Sequence, residues 1–162
     1  MNILVIEDDG KKGADIYSFL KNLKYIKNIN IKKSVKEGLR EVVKNDSKID
    51  FMILDMTLPM NDIKKHNKNV DLLHFAGEEV LKELKRYDKE LPFIIFTAFK
   101  YFGEESNEMT TLENLILRIK KQNTHTFQDV IHYKSGNEDW KKKISKTLSR
   151  WRKNNENKSI NN

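Results

Sequence analysis

Acidic residues cluster at the ends of two short apolar segments of this chain. Glu7, Asp8 and Asp9 come directly after the segment ILVI, near the start of the sequence. Asp55 comes directly after the segment FMIL. Neighbouring carboxylates repel each other and raise one another's pKa unless a cation or a basic group lies among them. The cluster is therefore a candidate cation site, although a strand that runs into a solvated acidic loop would give the same local pattern.

Two further groups that could take part in chemistry also follow apolar segments. Thr97 comes after the segment FIIF, and Lys134 comes after the segment VIHY. A hydroxyl and an ammonium can both donate hydrogen bonds to an anion, so they complement the acidic residues. All of these candidates share one property, which is their position at the end of an apolar run. Whether these side chains lie close together in space depends on the arrangement of the strands and helices that carry them.

The apolar runs alternate with longer segments of helical periodicity. Continuous apolar runs of this length are typical of parallel strands that are buried on both faces. The segments between them carry apolar residues at helical spacing, and Ser34 with Glu37 forms a capping box at the start of the second helix. We therefore predict β-α repeated five times, which is an α/β, doubly wound, five-stranded parallel sheet with helices on both faces.

The predicted domain boundaries follow from the apolar content. Residues 1–152 form a single domain with two lengthened loops, at residues 60–76 and within residues 99–128. Connections this long in a compact domain are usually functional or disordered, and we expect the first of them to be mobile or ordered by a partner. Residues 153–162 have too little apolar content to fold, so they are predicted to be a disordered tail that is polar and basic.

The composition indicates an ordinary globular domain with a very polar surface. The chain has 162 residues, a formal net charge of +7 and no cysteine, which excludes disulfides and thiolate chemistry. No apolar stretch approaches the ~20 residues of a membrane span, so we expect a cytoplasmic protein without membrane contact. The positive charge is concentrated from Lys134 onward, where nine Lys or Arg face three Asp or Glu. Such a basic end can attract nucleic acid, but a lysine-rich helix gives the same count.

The predicted sheet brings the candidate residues together. In an open α/β sheet the carboxyl ends of the strands line one crevice, and ligands bind there. Carboxylates such as Glu7, Asp8 and Asp55 are ligands that Mg²⁺ accepts together with water and phosphate oxygens. Asp55 could then act as a nucleophile toward phosphorus and form an aspartyl phosphate. Charge on the phosphoryl oxygens would be met by Mg²⁺, Thr97 and Lys134.

On these motifs the chain resembles the response-regulator receiver domains, the phosphoacceptor modules of two-component signalling. The resemblance rests on ILVIEDD, FMILDMTLP, GEEVLKEL and LPFIIFTA, followed by Lys134 at the fifth strand, in that order. It covers roughly residues 1 to 152. It implies a flavodoxin-like sheet with the strand order 2-1-3-4-5.

The resemblance also implies a role for each site residue. Asp55 would be the phosphoacceptor and a metal ligand, and the backbone carbonyl of Thr57 would be a further ligand. Glu7 and Asp8 would bind Mg²⁺, with Asp8 in direct contact, whereas Asp9 would lie beside the site without binding metal. The remaining two residues, Thr97 and Lys134, would contact the phosphoryl group.

The function implied by the resemblance is signalling. A histidine kinase or a phosphotransfer protein would supply the phosphoryl group in a Mg²⁺-dependent reaction, and phosphorylation would control a partner protein. The chain would not be an enzyme beyond self-catalysed phosphotransfer and autodephosphorylation. We expect a stand-alone receiver, since the last helix uses nearly all the remaining residues.

Three departures from the family pattern affect the expected mechanism. Ser135 follows Lys134, where the family usually has proline, so we expect a trans peptide bond there, because a cis bond without proline costs about 2.5–4 kcal/mol. Ile131 stands where the family usually has an aromatic residue that swings inward on phosphorylation. With no ring to move, we expect the output face to rearrange weakly, and signalling to rely more on residues 60–76 or on residues 101–102. The long connections are the third departure.

Three alternative functions remain open at this point. A haloacid-dehalogenase-like phosphatase also uses an aspartate nucleophile, but its acidic pair comes last and it has a second acid where this chain has Thr57. A receiver-like scaffold would bind partners without phosphorylation. A nucleic-acid binder would use the basic C-terminal helix, but we interpret Trp140 and Trp151 as core residues and do not expect direct nucleic-acid binding.

Overall fold

The chain folds around one parallel sheet. The computed structural model describes residues 1–44, 48–61, 72–73, 76–98, 101–102 and 110–160. The sheet strands are β1 (Asn2–Ile6), β2 (Asn28–Lys32), β3 (Phe51–Leu54), β4 (Phe93–Thr97) and β5 (Phe127–His132). The helices are α1 (Gly10–Lys21), α2 (Val35–Val43), α3 (Ala76–Arg86), α4 (Leu112–Gln122) and α5 (Asp139–Ile160). Two antiparallel pairs of two-residue strands lie outside this sheet, Leu58–Pro59 with Leu72–Leu73 and Tyr101–Phe102 with Thr110–Thr111.

The strand order is β2-β1-β3-β4-β5, and all neighbours in this sheet are parallel. The predicted fold class and the predicted order 2-1-3-4-5 are therefore confirmed. The direction of winding reverses between β1 and β3, because β2 lies on one side of β1 and all later strands lie on the other. This reversal opens a crevice at the carboxyl ends of β1 and β3, where ligands bind in folds of this kind.

Burial explains why the strands have the sequences they have. Every residue of β3 and β4 is buried, which requires a continuous apolar run. The edge strand β5 is only partly buried, so its first half can be polar, and it begins at Phe127 although the apolar run that predicted it begins at Val130. Its polar Asp129 accepts a hydrogen bond from Thr147 of α5 at 2.9 Å.

Two layers of core residues cover the two faces of the sheet. One face packs against α2, α3 and α4 and includes Leu4, Met52 and Leu54. The opposite face packs against α1 and α5 and includes Val5 and Ile53, as the alternation of side chains along a strand requires. Each such side chain contributes roughly 1.5–3 kcal/mol by its burial, which holds the strand ends that carry the site in register.

The last helix belongs to this core. Trp140 is 4% exposed and its ring lies 5.3 Å from that of Phe96, and Trp151 packs edge-on against Phe51 at 5.5 Å. The interpretation as a core residue is confirmed for Trp140, and Trp151 packs against the same core as a partly buried residue. The helix continues to Ile160, past residue 152, where we expect the folded domain to end; the boundary and the disordered tail stay predictions.

Most of the first long connection and part of the second lie outside the described residues. Residues 62–71, 74–75, 99–100 and 103–109 are not described, so the predicted behaviour of the first connection stays a prediction. Within the ranges that the structure does describe, no helix has the length and apolarity needed to cross a membrane.

Candidate functional site

The structure brings three of the predicted acidic residues together. Ligand oxygens of Glu7, Asp8 and Asp55 all lie within 4.8 Å of one another. Glu7 and Asp55 follow neighbouring strands, and the backbone N–H of Asp55 donates to the carbonyl of Ile6 at 3.0 Å. The strand ladder thus extends to the first residue of the site and holds the two carboxylates side by side, with Glu7 only 2% exposed and Asp55 4% exposed.

The fourth acid has a different role. Asp9 caps the N-terminus of α1, where its Oδ1 accepts hydrogen bonds from the backbone N–H groups of Lys11 and Lys12 at 2.8 and 2.9 Å. A side-chain oxygen at this position satisfies N–H groups that the helix leaves without partners. Asp9 is not a member of the converging group, so it lies beside the site as predicted.

Lys12 is a site residue that the sequence analysis missed. Its Nζ lies 2.6 Å from Oε2 of Glu7 and 2.9 Å from Oδ2 of Asp55, and its side chain is 3% exposed. A signal for it exists, because Lys12 lies one helical turn before Ile16 and two turns before Leu20, which form the buried stripe of α1. A lysine on that stripe, next to an acidic strand end, predicts a buried ion pair.

All four oxygens of the two buried carboxylates accept hydrogen bonds from the protein. Lys12 donates to Oε2 of Glu7 and to Oδ2 of Asp55. The backbone N–H of Asp9 donates to Oε1 of Glu7 at 3.0 Å, and the N–H of Met56 donates to Oδ1 of Asp55 at 2.7 Å. The backbone therefore fixes one oxygen of each carboxylate, and the Lys12 ammonium joins the other two.

The electrostatics show a surplus of negative charge. Burial raises the pKa of Glu7 well above its ordinary value, the attraction of Lys12 lowers it, and the repulsion of Asp55 raises it again. The pKa of Asp8 is raised by burial and then by the charge of Asp55. Three carboxylates and one ammonium leave two negative charges in the pocket when all of them are ionised, so a further cation would be favoured there.

The residues present fit Mg²⁺ by their chemistry. Glu7, Asp8 and Asp55 supply the oxygens that this ion prefers. The side-chain Oγ1 of Thr57, in the segment that follows Asp55, is buried without a hydrogen-bond partner. A buried polar atom without a partner is uncommon in a folded protein and is often explained by an ion or a water.

Thr97 ends β4 and Lys134 follows the adjacent strand β5, but the two residues differ in their surroundings. Thr97 is fully buried at the end of β4, and its carbonyl accepts a hydrogen bond from the N–H of Tyr133 at 2.8 Å. Lys134 is exposed, and among the ion pairs of the described residues none joins it to Asp55. In this structure the ammonium that pairs with Asp55 is that of Lys12.

The turn after Lys134 has the expected backbone. All described peptide bonds are trans, including the one between Lys134 and Ser135, and Gly136 has a positive φ of 78°. Ser135 accepts a hydrogen bond from Nζ of Lys11 at 2.8 Å. This contact ties the turn to the first residues of α1 and so to the rim of the acidic pocket.

A close approach of α3 to the site explains the glycine in the motif GEEVLKEL. The N–H of Gly77 donates to the carbonyl of Met56 at 3.2 Å. A Cβ at Gly77 would lie 2.6 Å from the carbonyl oxygen of Asp55 and 2.7 Å from the sulfur of Met56. Only glycine lets the start of α3 come so near to the backbone that carries Asp55.

A sequence comparison finds a relative that matches nearly the whole chain. No family model matches the chain. The protein y4jR of Sinorhizobium fredii, described as uncharacterized, is 31% identical over 146 residues, which are 89% of this chain and 94% of that protein.

Solved structures of receiver domains share the fold. A response regulator receiver domain protein from Clostridium thermocellum has 23% identity and a TM-score of 0.57, over 93% of this chain and 96% of that one. A CheY-like response regulator receiver domain protein from Methanospirillum hungatei JF-1 has 18% identity and a TM-score of 0.61, over 94% and 97% of the two chains. The chain therefore belongs to one family with y4jR, and its fold is that of the response-regulator receiver domains.

Proposed function

We propose that the chain is a phosphoacceptor in two-component signalling, in which Asp55 receives a phosphoryl group from a histidine kinase or a phosphotransfer protein. The observation that carries the proposal is the convergence of Glu7, Asp8 and Asp55 within 4.8 Å, at the crevice of a receiver fold. A carboxylate nucleophile beside two further carboxylates needs a divalent cation before it can approach an anionic phosphoryl donor, and this matches a Mg²⁺-dependent reaction.

The chain's own residues would prepare Asp55 for attack. The N–H of Met56 holds Oδ1 of Asp55 at 2.7 Å and so fixes the plane of the carboxylate. An oxygen of Asp55 forms a bond to phosphorus while the phosphorus–nitrogen bond of the donor phosphohistidine breaks, and the departing imidazole keeps the electron pair and takes up a proton. Thr97 and Lys134 would donate hydrogen bonds to the transferred group.

Mg²⁺ would be held by Glu7, Asp8, Asp55 and the backbone carbonyl of Thr57. When bound, it supplies positive charge that offsets the repulsion between these carboxylates and the phosphoryl oxygens. The acyl phosphate that forms on Asp55 would then change the contacts of a partner protein.

Intact mass after incubation with acetyl phosphate tests this function. The wild-type protein should gain one phosphoryl group in the presence of Mg²⁺ and none in EDTA, and Asp55→Asn should gain none. Asp50→Asn is a matched control, because Asp50 lies at the opposite end of β3, where its carboxylate accepts from the N–H of Asn2 at 2.7 Å. Labelling of Asp55→Asn at the wild-type level would remove Asp55 from the role.

A receiver-like scaffold is the second candidate, and one observation favours it. Lys12 already pairs with Asp55 and Glu7, at 2.9 and 2.6 Å, so the pocket has a cation without any ligand. If the chain is a scaffold, the wild-type protein and the Asp55→Asn variant should bind the partner with equal affinity. A partner affinity that changes with phosphorylation would contradict the scaffold function.

A further inference from the structure

We propose that Lys12 is an internal cation of the acidic pocket, which holds the pocket together in the metal-free protein and competes there with Mg²⁺. The proposal rests on the proposed function for the identity of the competing ion. It adds a residue that tunes the metal affinity of the site, and hence the Mg²⁺ concentration at which Asp55 becomes reactive.

The position of the ammonium is the first argument. Nζ of Lys12 bridges Glu7 and Asp55 at 2.6 and 2.9 Å, and these are two of the three residues whose oxygens converge. The side chain is 3% exposed. The face of the Phe96 ring, whose centroid lies 5.3 Å from Nζ, covers the ammonium from another side. A lysine that is buried to this degree needs paired charges around it.

The first turn of α1 fixes the position of the Lys12 backbone. Asp9 accepts from the N–H of Lys12 at 2.9 Å and caps the helix, and Ile16 and Leu20 anchor the same helix face in the core. The buried stripe of α1 therefore begins with a charged residue that faces the strand ends. The same helical periodicity that places Ile16 and Leu20 against the sheet also places the Lys12 ammonium beside the carboxylates.

The two cations would need the same oxygens. The other oxygen of Glu7 accepts from the N–H of Asp9, and the other oxygen of Asp55 accepts from the N–H of Met56. These backbone donors cannot move without shifting the strand end, whereas the lysine side chain has a flexible four-carbon stem. An ion that binds both carboxylates must therefore displace the Lys12 ammonium, because it is the partner that can move. Coupling between two ligands of one site is reciprocal. Lys12 should therefore lower the affinity of the pocket for Mg²⁺ by the same factor by which Mg²⁺ weakens the ion pairs of Lys12.

Calorimetric titration of Mg²⁺ into metal-free protein tests the competition. Lys12→Met removes the charge at nearly constant volume, and we expect it to bind Mg²⁺ about tenfold more tightly or better, within the usual range of coupling between sites. Lys11→Met is the matched control, since Lys11 lies on the same helical turn but is exposed and contacts Ser135. We expect its Mg²⁺ affinity to stay within about twofold of wild type, because exposed charges are screened by salt.

One further variant and two measurements protect the test against a folding defect. Circular dichroism checks that Lys12→Met is folded, and Lys12→Arg keeps the charge and should bind Mg²⁺ no more tightly than wild type. In wild-type protein, amine-reactive labelling read by peptide mass spectrometry should modify Lys12 much more slowly than Lys11, and Mg²⁺ should speed the labelling of Lys12 alone.

The outcomes separate this inference from the proposed function. Equal Mg²⁺ affinity of wild type and Lys12→Met would overturn the competition and leave Mg²⁺-dependent phosphorylation intact. Rapid labelling of Lys12 in metal-free protein would overturn the internal cation itself. Failure of the wild-type protein and of every variant to bind Mg²⁺ would overturn both the competition and the metal site of the proposed function.

Discussion

At the scale of single residues, the charges of the pocket depend on one another. Glu7 and Asp55 are almost completely buried and share one buried ammonium. Transferring such groups from water is costly, and the cost is offset only while the partners and the backbone donors are all in place. The stability of the fold and the chemistry of the site are therefore linked through Lys12.

Removal of this ammonium should destabilise the metal-free protein. Lys12→Met leaves two buried carboxylates without their cation, and breaking a buried pair in this way costs about 3–5 kcal/mol. The free energy of unfolding, measured by urea denaturation in EDTA, should fall by about 3–5 kcal/mol. Addition of Mg²⁺ should restore part of the lost stability. A loss below about 1 kcal/mol in EDTA would show that Lys12 does not hold the pocket together.

The two neighbouring acids should affect different properties, Asp8 the binding of Mg²⁺ and Asp9 the stability of the fold. Asp8→Asn should weaken Mg²⁺ binding more than Asp9→Asn, because Asp8 is in the converging group and Asp9 is the cap of α1. Asp9→Ala should instead lower the unfolding free energy by about 1 kcal/mol. Calorimetry and urea denaturation of the variants measure both effects. The reverse order of Mg²⁺ affinities would contradict the assignment.

At the scale of elements, the apolar runs and helical periodicities predict the fold because both report burial. The run FMIL coincides with β3, and Ser34 caps α2 by accepting from the N–H of Glu37 at 3.0 Å. The start of β5 is not predictable in this way, because an edge strand carries polar residues. Lys12 was missed for a related reason, since a search for apolar residues at helical spacing passes over a charged residue on the same helix face.

The contact between α3 and the site predicts a strong effect at one glycine. Gly77→Ala would put a Cβ 2.6 Å from the carbonyl oxygen of Asp55, so that the backbone must shift. We expect a loss of about 1–3 kcal/mol, as for other overpacked sites, together with slower phosphorylation. Gly10→Ala is the control, because a Cβ at Gly10 meets nothing within 4 Å. Urea denaturation should find Gly10→Ala as stable as wild type or slightly more stable, and equal stability of the two variants would contradict the close approach.

At the scale of the whole molecule, the site lies at the carboxyl ends of strands whose two faces are covered by the two core layers. Ile131 is fully buried on the face of α1 and α5, in the cluster that also contains Phe96 and Tyr133. Its β-branched side chain has few rotamers and no ring to move. The convergence of the acids was predictable from strand ends and the burial of Ile131 from its apolar run, but the exposure of Lys134 depends on packing that no local pattern contains.

This arrangement predicts a weak response at the face formed by α4, β5 and α5. A modification can shift a conformational equilibrium only by its differential interaction with the two states, and a small moving group gives a small difference. Amide hydrogen exchange with and without beryllofluoride and Mg²⁺ should therefore change little in β5 and α4, and more in residues 60–76 or around residues 101–102. A large change concentrated around Thr97, Ile131 and α4 would contradict this expectation.

Reduction of the acyl phosphate shows directly whether Asp55 itself receives the phosphoryl group. Borohydride reduces an acyl phosphate to an alcohol, so it converts a phosphorylated aspartate to homoserine. The protein is incubated with acetyl phosphate and Mg²⁺ and then treated with borohydride, and peptide mass spectrometry locates the homoserine. We predict homoserine at position 55 in wild-type protein, none in EDTA, and none at any position in Asp55→Asn. Homoserine at position 8 or 9, or its absence from a fully phosphorylated protein, would show that Asp55 is not the phosphoacceptor.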